Sequence, residues 1–278
     1  MQRVDSEFSA SDFLSSILTG HATKLITHIG ELRDEKSAEA VHDTRVAIRT
    51  INSHLSTFSP FLRRKPTADL QQQLNWLNSK IADVRNFDVM ISMVEKVENE
   101  QVKQALLTRL ASERLMQELK LQKALDSSKI DLTLKALTSF ALRPMLRRKF
   151  LSLSAKKSKT KITSAISHTW VLLFESLEKL PKRPNPKQLH RVRIIAKECR
   201  YAYEAAAESN LLQSPHIQAW TKNLQQRLGQ VQDVKMLRKW IKVQSDLDTV
   251  TRTQALISFT PKLPQKKQLL NGVSQTPK

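Results

Sequence analysis

The residues whose types and spacing suggest chemistry are a histidine and two arginines between positions 41 and 55. On a helix, which turns about 100° per residue, His42, Arg45, Arg49 and Ser53 share one narrow face. A separate apolar stripe is formed by Thr44, Ile48, Ile51 and Leu55. Since the cationic face holds no carboxylate, it cannot form a ladder of salt bridges within the helix. The spacing instead suits the binding of an anion.

The same arrangement returns 148 residues further along the chain, with the histidine again in the first place. The matching positions, at offsets of zero, three, seven, ten and eleven, are His190, Arg193, Lys197, Arg200 and Tyr201. The similarity continues downstream, where residues 74–88 resemble residues 224–233. His42 precedes Val84 by 42 residues and His190 precedes Val231 by 41. This repeat predicts an internal duplication.

The elements that must position these faces are predicted to be helices. With 4 Gly and 10 Pro in 278 residues, and with apolar residues spaced by three and four, the sequence indicates an all-α fold. We predict one domain over residues 8–260, with a first helical half at 8–128 and a second at 129–260. Residues 261–278 are polar and basic and are predicted to be a disordered tail.

Helix boundaries follow from capping residues and prolines. The helices before residue 128 are expected at about 11–33, at 38–59 after a Ser37 cap, from 68 after a Thr67 cap, and at 102–125. In the second half, a helix over 129–150 is expected to break at Pro144. It is followed by helices at about 164–180, 187–209, 214–230 and 234–256.

The charge of the chain is large and unevenly distributed. The formal net charge is +20, yet residues 1–100 hold 12 Lys and Arg against 14 Asp and Glu, whereas the remainder holds 34 against 12. Such a field attracts polyanions. The lone cysteine, Cys199, excludes an intramolecular disulfide and is expected to be buried. Because we find no apolar run of membrane-spanning length and no signal-peptide core, we expect a cytoplasmic protein without a membrane partner.

The two repeated motifs resemble a known family. Val-His-Asp-x-Arg-Val-x-x-Arg and Leu-His-x-x-Arg-x-x-x-Lys-x-x-Arg-Tyr, each followed by a Val-x-Asn/Asp helix, resemble the CHAD domain, a helical domain with characteristic histidines. The resemblance covers roughly residues 8–259. It implies two pseudo-symmetric four-helix halves around a basic groove or pore that binds inorganic polyphosphate, and recruitment to polyphosphate granules. The first copy departs from the family pattern at Thr50, Asn52 and Asn86, which predicts weaker anion binding by that half.

The predicted binding residues are the cations, histidines and tyrosine of the two repeats. They are His42, Arg45, Arg49, Arg85, His190, Arg193, Lys197, Arg200 and Tyr201. Arg85 is included because it resembles an arginine of the family in the helix that follows the first repeat. Arg147, Lys157 and Lys161, from the most basic stretch of the chain, are predicted to contact the ligand at the rim.

Non-specific binding of nucleic acid is the main alternative, because any basic domain neutralises phosphates. Against it, aromatic residues make up only 5% of the chain, and most of them fall on apolar stripes. A metal site is not expected, since each repeated histidine has cationic neighbours on its own face. Without a Gly-rich phosphate loop or a paired acid and base, we predict no catalytic residue and no cofactor. A polyphosphate-metabolising enzyme as partner is left open, as is the oligomeric state.

Overall fold

The computed structural model describes residues 8–271, and within them every named element is a helix. The eleven helices of this part of the chain are α1 (Ala10–Asp34), α2 (Ala38–Thr57), α3 (Arg64–Val94), α4 (Glu100–Leu125), α5 (Ser128–Leu142), α6 (Arg148–Leu151), α7 (Ala155–Glu178), α8 (Pro186–Glu208), α9 (Pro215–Val243), α10 (Thr249–Ser258) and α11 (Lys266–Leu270). The all-α prediction is confirmed. None of the helices within residues 8–271 is long and apolar enough to cross a membrane.

The helices pack mainly against their neighbours in sequence. α1 packs on α2, α2 on α3 and α3 on α4, and the same order holds for α7, α8, α9 and α10. Contact between α2 and α8, the helices that carry the two cationic faces, joins the halves. α5, which we assigned to the second half, packs mainly against α1. A shared packing order does not establish a duplication, which stays a prediction.

Two hydrophobic cores lie at different levels of the molecule. The larger core includes buried residues of α1, α2, α7 and α8. The smaller core joins the ends of α3 and α4 to the end of α9 and to α10, and it includes Phe87, Met90, Leu237 and Trp240. The 31 residues of α3 and the 29 residues of α9 cross from one core to the other. Each is long enough for this, at roughly 45 Å. Between the two cores, polar side chains of neighbouring helices can lie next to each other without entering either core.

The helix boundaries differ most from the predictions at α3, α7 and α9, and the helix expected over 234–256 is interrupted between Val243 and Thr249. α3 begins at Arg64 rather than at residue 68, because Pro66 falls in the first turn, where an amide has no helical partner anyway. α7 begins at Ala155, capped by Ser154, so several lysines predicted to precede a helix form its first turns. α9 continues to Val243 without the expected break near residue 232, since Gly229 is tolerated inside it.

The predicted disordered tail is corrected over part of its length. Residues 266–270 form α11, in which the Gln265 and Gln268 side chains cap each other's backbone and Leu269 is buried against the larger core. Lys266 donates to the backbone oxygen of Glu178, at the end of α7. One buried leucine and a hydrogen bond to the end of α7 therefore dock this segment. Residues 272–278 lie outside the described residues.

Candidate functional site

A cavity of about 650 Å³ lies between α2, α3, α8 and α9. We call it the cationic cavity because most of its charged lining is positive. Its cations come from all four helices: Arg45 and Arg49 from α2, Arg85 from α3, Arg193, Lys197 and Arg200 from α8, and Lys222 from α9. The rest of the lining is His42, Val46, Asn86, Val89, Tyr201, Gln225, Gln226, Gly229, Gln230, Asp233 and Met236.

The cavity occupies the level between the two cores. On α3, Val84 belongs to the larger core and Met90 to the smaller one, with Arg85 and Asn86 between them. On α9, Val231 and Leu237 likewise flank Asp233. Because α3 and α9 leave the larger core and enter the smaller one at these residues, the polar residues there are not surrounded by apolar side chains. The sequence therefore folds into two apolar anchors with a polar layer between them.

The structure brings together all but one of the predicted binding residues of the two repeats. Both histidines of the repeats are exposed, but His42 of α2 lines the cationic cavity, whereas His190 lies outside its lining. None of the three predicted rim residues lines the cavity. Arg147 donates instead to the backbone oxygens of Leu62 and Ser59, at 2.8 and 3.4 Å. Lys157 is exposed, and Lys161 lines a separate groove beside Phe61.

The lining contributed by α9 was missed by the sequence reasoning. Lys222, Gln226, Gly229 and Asp233 follow each other at offsets of zero, four, seven and eleven and therefore form one helix face. That spacing is readable in the sequence, but only two of the four residues are charged and their charges are opposite, so the face does not stand out as cationic. Gln225 is buried and donates to the backbone oxygen of Ala196 at 3.0 Å, which fixes α9 against α8. The Arg193 guanidinium lies close to α9, since a Cβ at Gly229 would be in ordinary van der Waals contact with it, 3.6 Å from Nη2 and 3.7 Å from Nε.

Most cations of the cavity have no carboxylate partner. Among residues 8–271, no salt bridge involves Arg45, Arg49, Arg85, Arg193, Lys197 or Lys222. Arg200 is the exception, with Nε 3.1 Å from Oε1 of Glu204. That contact is an ion pair without hydrogen-bond geometry, so Nε of Arg200 has no hydrogen-bond partner. The buried Nη1 of Arg45 and Nε of Arg193 also have none. The cavity thus presents unsatisfied donors to any anion that enters.

Burial and mutual repulsion disfavour the charged forms of the arginines and of the histidine that line the cavity. Burial, together with the positive charges of Arg49, Arg193 and Arg85, lowers the pKa of Arg45 to about 10. The pKa values of Arg49 and Arg193 are lowered mainly by burial as well. The pKa of His42 is lowered by burial and by Arg85, which favours the neutral imidazole in the free protein.

Asp233 is the one carboxylate among the residues that line the cavity in the described chain. Burial raises its pKa, while Arg193, Arg85, Arg45 and Arg49 act in the opposite direction. It forms a salt bridge with none of them, so its charge offsets part of theirs without holding any single guanidinium. Arg200 also lies over the ring of Tyr201, with Cζ 4.9 Å from the ring centroid.

The donor set suits a multiply charged oxyanion. Arginines offer bidentate hydrogen bonds to phosphate oxygens, lysines add point charges, and glutamine amides add neutral donors. Between residues 8 and 271, no group of three or more His, Cys, Asp or Glu side chains is arranged to hold a metal ion. Cys199 is fully buried, as expected, and burial raises the pKa of its thiol to about 12.

Fold and site together define an all-α protein in which two neighbouring helices point cationic faces into one cavity. Comparison with known proteins agrees with that class. Residues 16–242 match the sequence profile of the CHAD domain, and the chain belongs to the CHAD domain family. No curated protein sequence matches it significantly.

Two solved structures share the fold. The crystal structure of the CHAD domain from the plant Ricinus communis has a TM-score of 0.76 and 18% sequence identity, covering 93% of this chain and 88% of that one. PptA from Streptomyces chartreusis has a TM-score of 0.72 and 16% identity, covering 89% of this chain and 92% of that one. At these identities the likeness shows the fold alone.

Proposed function

We propose that this protein binds inorganic polyphosphate in the cationic cavity and does so without catalysis. The observation that carries the proposal is the convergence of unpaired cations from four helices on one space. A linear phosphate chain offers oxygens at every unit, and cations on successive helix turns, about 5–6 Å apart, can contact successive units. Membership in the CHAD family, with the polyphosphate binding that our sequence resemblance implied, supports this ligand above others.

Nucleic acid is the second candidate, and the position of the cations argues against it. The repeat cations face a cavity between helices, whereas a duplex meets charges that project from an outer surface. Tyr201, the one aromatic residue of the lining among the described residues, is 5% exposed and covered by Arg200. A base would therefore find no free ring on which to stack.

The proposed role is recruitment of the protein to polyphosphate granules in the cytoplasm, with or without a polyphosphate-metabolising enzyme as partner. The proposal of no catalysis is supported by the cavity chemistry. Its lining has no nucleophile beside a base, and its one carboxylate is surrounded by arginines. In this proposal, the cations that bind polyphosphate have no role in cleaving it.

The test is charge reversal inside the cavity. In the double variant Arg193→Glu and Lys197→Glu, affinity for polyphosphate should fall about a hundredfold or more, because two charge-assisted contacts become repulsive. The matched control, Lys156→Glu with Lys157→Glu, makes the same change in net charge on exposed residues of α7 outside the cavity.

Binding would be measured for polyphosphate, duplex DNA and single-stranded DNA at several salt concentrations, and helical content would be checked by circular dichroism. Polyphosphate should displace DNA at lower charge equivalents. Equal loss in both double variants, or unchanged affinity in the cavity variant, would show that the ligand is held elsewhere.

A further inference from the structure

The connection between α5 and α7 carries a positive surface that the cationic cavity does not use. Residues 132–174 contain no Asp or Glu. Nine exposed cations lie within this stretch: Lys135 on α5, and after it Arg143, Arg147, Arg148, Lys149, Lys156, Lys157, Lys159 and Lys161. None of them forms a salt bridge with any described residue. A surface of this kind attracts an anionic partner.

Large apolar side chains stand between these cations. Leu142 is 59% exposed, Met145 is 45% exposed and Leu151 is 66% exposed. Single exposed apolar residues are common, but three within ten residues, each no more than two positions from an Arg or Lys, form a mixed surface. We call this exposed part of residues 142–161 the basic-apolar surface.

The backbone beneath these side chains is held in place. The amide of Arg63 donates to the oxygen of Met145 at 2.8 Å, and the amide of Arg147 donates to the oxygen of Phe61 at 2.9 Å. The rings of Phe61 and Phe150 lie 4.7 Å apart, which fixes the start of α6. These contacts anchor the connection to residues 61–63, while Leu142, Met145 and Leu151 remain exposed and available to a partner.

The partner must supply both negative charge and an apolar environment. Polyphosphate has no apolar part. Duplex nucleic acid could contact the exposed cations but would leave the exposed apolar side chains without a partner. A single strand would find no free ring on which to stack, since Phe150, the one aromatic side chain of this segment, is half-buried. An anionic lipid bilayer offers phosphate or carboxylate headgroups above an acyl layer, and it is bound by leucines flanked by Lys and Arg.

We propose that the basic-apolar surface docks this protein onto anionic membrane surfaces, with Leu142, Met145 and Leu151 inserted between headgroups and the surrounding Arg and Lys contacting them. This peripheral contact replaces the expectation of no membrane partner, which rested on the lack of a spanning segment. It is independent of the cationic cavity, whose lining shares no residue with this surface.

The experiment measures sedimentation of the full-length protein with vesicles of phosphatidylcholine alone and of phosphatidylcholine with about one-third phosphatidylglycerol. Wild type should bind the anionic vesicles, less at high salt, and leave the neutral ones. The pair Leu142→Ser and Leu151→Ser should lower partitioning about tenfold or more, since two apolar insertions are lost. Lys156→Glu with Lys157→Glu should do the same through charge.

Two controls separate this proposal from others. Leu115→Ser with Met116→Ser alters equally exposed apolar residues of α4, near Glu113 and Glu118, and should change nothing. The cavity variant Arg193→Glu with Lys197→Glu should still bind vesicles. Failure of wild type to bind anionic vesicles would overturn the proposal, as would unchanged binding by the leucine pair. The proposal would also be overturned if Lys156→Glu with Lys157→Glu lost binding to DNA but kept binding to anionic vesicles.

Discussion

Replacing Arg45 with glutamine should stabilise the free protein and weaken its binding of polyphosphate. The pKa of Arg45 is lowered to about 10 by burial and by neighbouring arginines, so the folded state disfavours its charge. At 1.36 kcal/mol per pKa unit, a change of this size corresponds to a penalty of about 3 kcal/mol. Because Arg45 is partly accessible to solvent, screening reduces the expected gain in stability to about 1–2 kcal/mol.

The assay is urea unfolding at neutral pH with and without polyphosphate. Without ligand, the free energy of unfolding of Arg45→Gln should exceed that of wild type, and the difference should shrink as salt screens the repulsion. The variant should bind polyphosphate about tenfold or more weakly. With saturating ligand, its advantage in the free energy of unfolding should therefore shrink by about 1.4 kcal/mol for each tenfold loss of affinity, because polyphosphate stabilises wild type by mass action.

Arg33→Gln is the matched control. Arg33 donates to Asp131 at 2.8 Å and to the oxygen of Leu125 at 3.1 Å, so its loss should leave stability unchanged or lower it. If Arg45→Gln destabilised the free protein as much as this control does, Arg45 would be a structural cation rather than one kept for a ligand. Full ligand affinity in the variant would contradict the binding assignment.

Two further predictions follow from buried titratable groups. Burial, and to a lesser extent His21, lowers the pKa of His54 to about 3, and neither of its ring nitrogens has a hydrogen-bond partner. Between pH 6.5 and 3 the unfolded state therefore binds one more proton, so the free energy of unfolding should fall by about 1.4 kcal/mol for each pH unit below about 6.5. Urea unfolding at pH 7.5, 6 and 5 measures this slope, and His54→Phe should remove it. Equal slopes in both proteins would disprove the prediction. Asp233→Asn should tighten polyphosphate binding, because it removes the one negative charge among the described residues of the lining, whereas Asn86→Asp on α3 should weaken it. Titration calorimetry measures both affinities, and a change of the same sign in both variants would refute the counter-ion role. Because burial raises the pKa of Asp233 despite the four arginines, Asp233→Asn should not lower the free energy of unfolding of the free protein.

The cationic faces could be predicted from the sequence because the spacing of residues within a single helix determines which side chains share a face. The predicted apolar stripe of Thr44, Ile48, Ile51 and Leu55 is buried, and Arg45 and Arg49 lie on a separate face about 110° further around the helix, as the 100° periodicity requires. Ser37 caps α2 as expected. Local periodicity and capping therefore fixed both the bounds of this helix and the direction of its side chains.

Tertiary relations could not be predicted in the same way. His42 and His190 are each the fifth residue of their helices, so a helical wheel gives them identical positions, yet only His42 lines the cavity. What differs lies on the neighbouring helices, where α3 contributes Arg85 and α9 has Gln232 in the matching place. Likewise, Arg147 was expected at the rim because of its charge, but backbone oxygens of the α2–α3 connection hold it.

The first half was predicted to bind anions weakly, and the distribution of charge in the cavity argues for a different asymmetry. That half contributes Arg45, Arg49 and Arg85, while the second contributes four cations less the charge of Asp233. Each half therefore supplies three net positive charges. What distinguishes them is that the second half brings its own counter-ion, and the first has the neutral Asn86 in the corresponding place. A bound chain should accordingly place its most highly charged part beside Arg85 and Asn86, where no fixed negative charge of this protein's own competes with it.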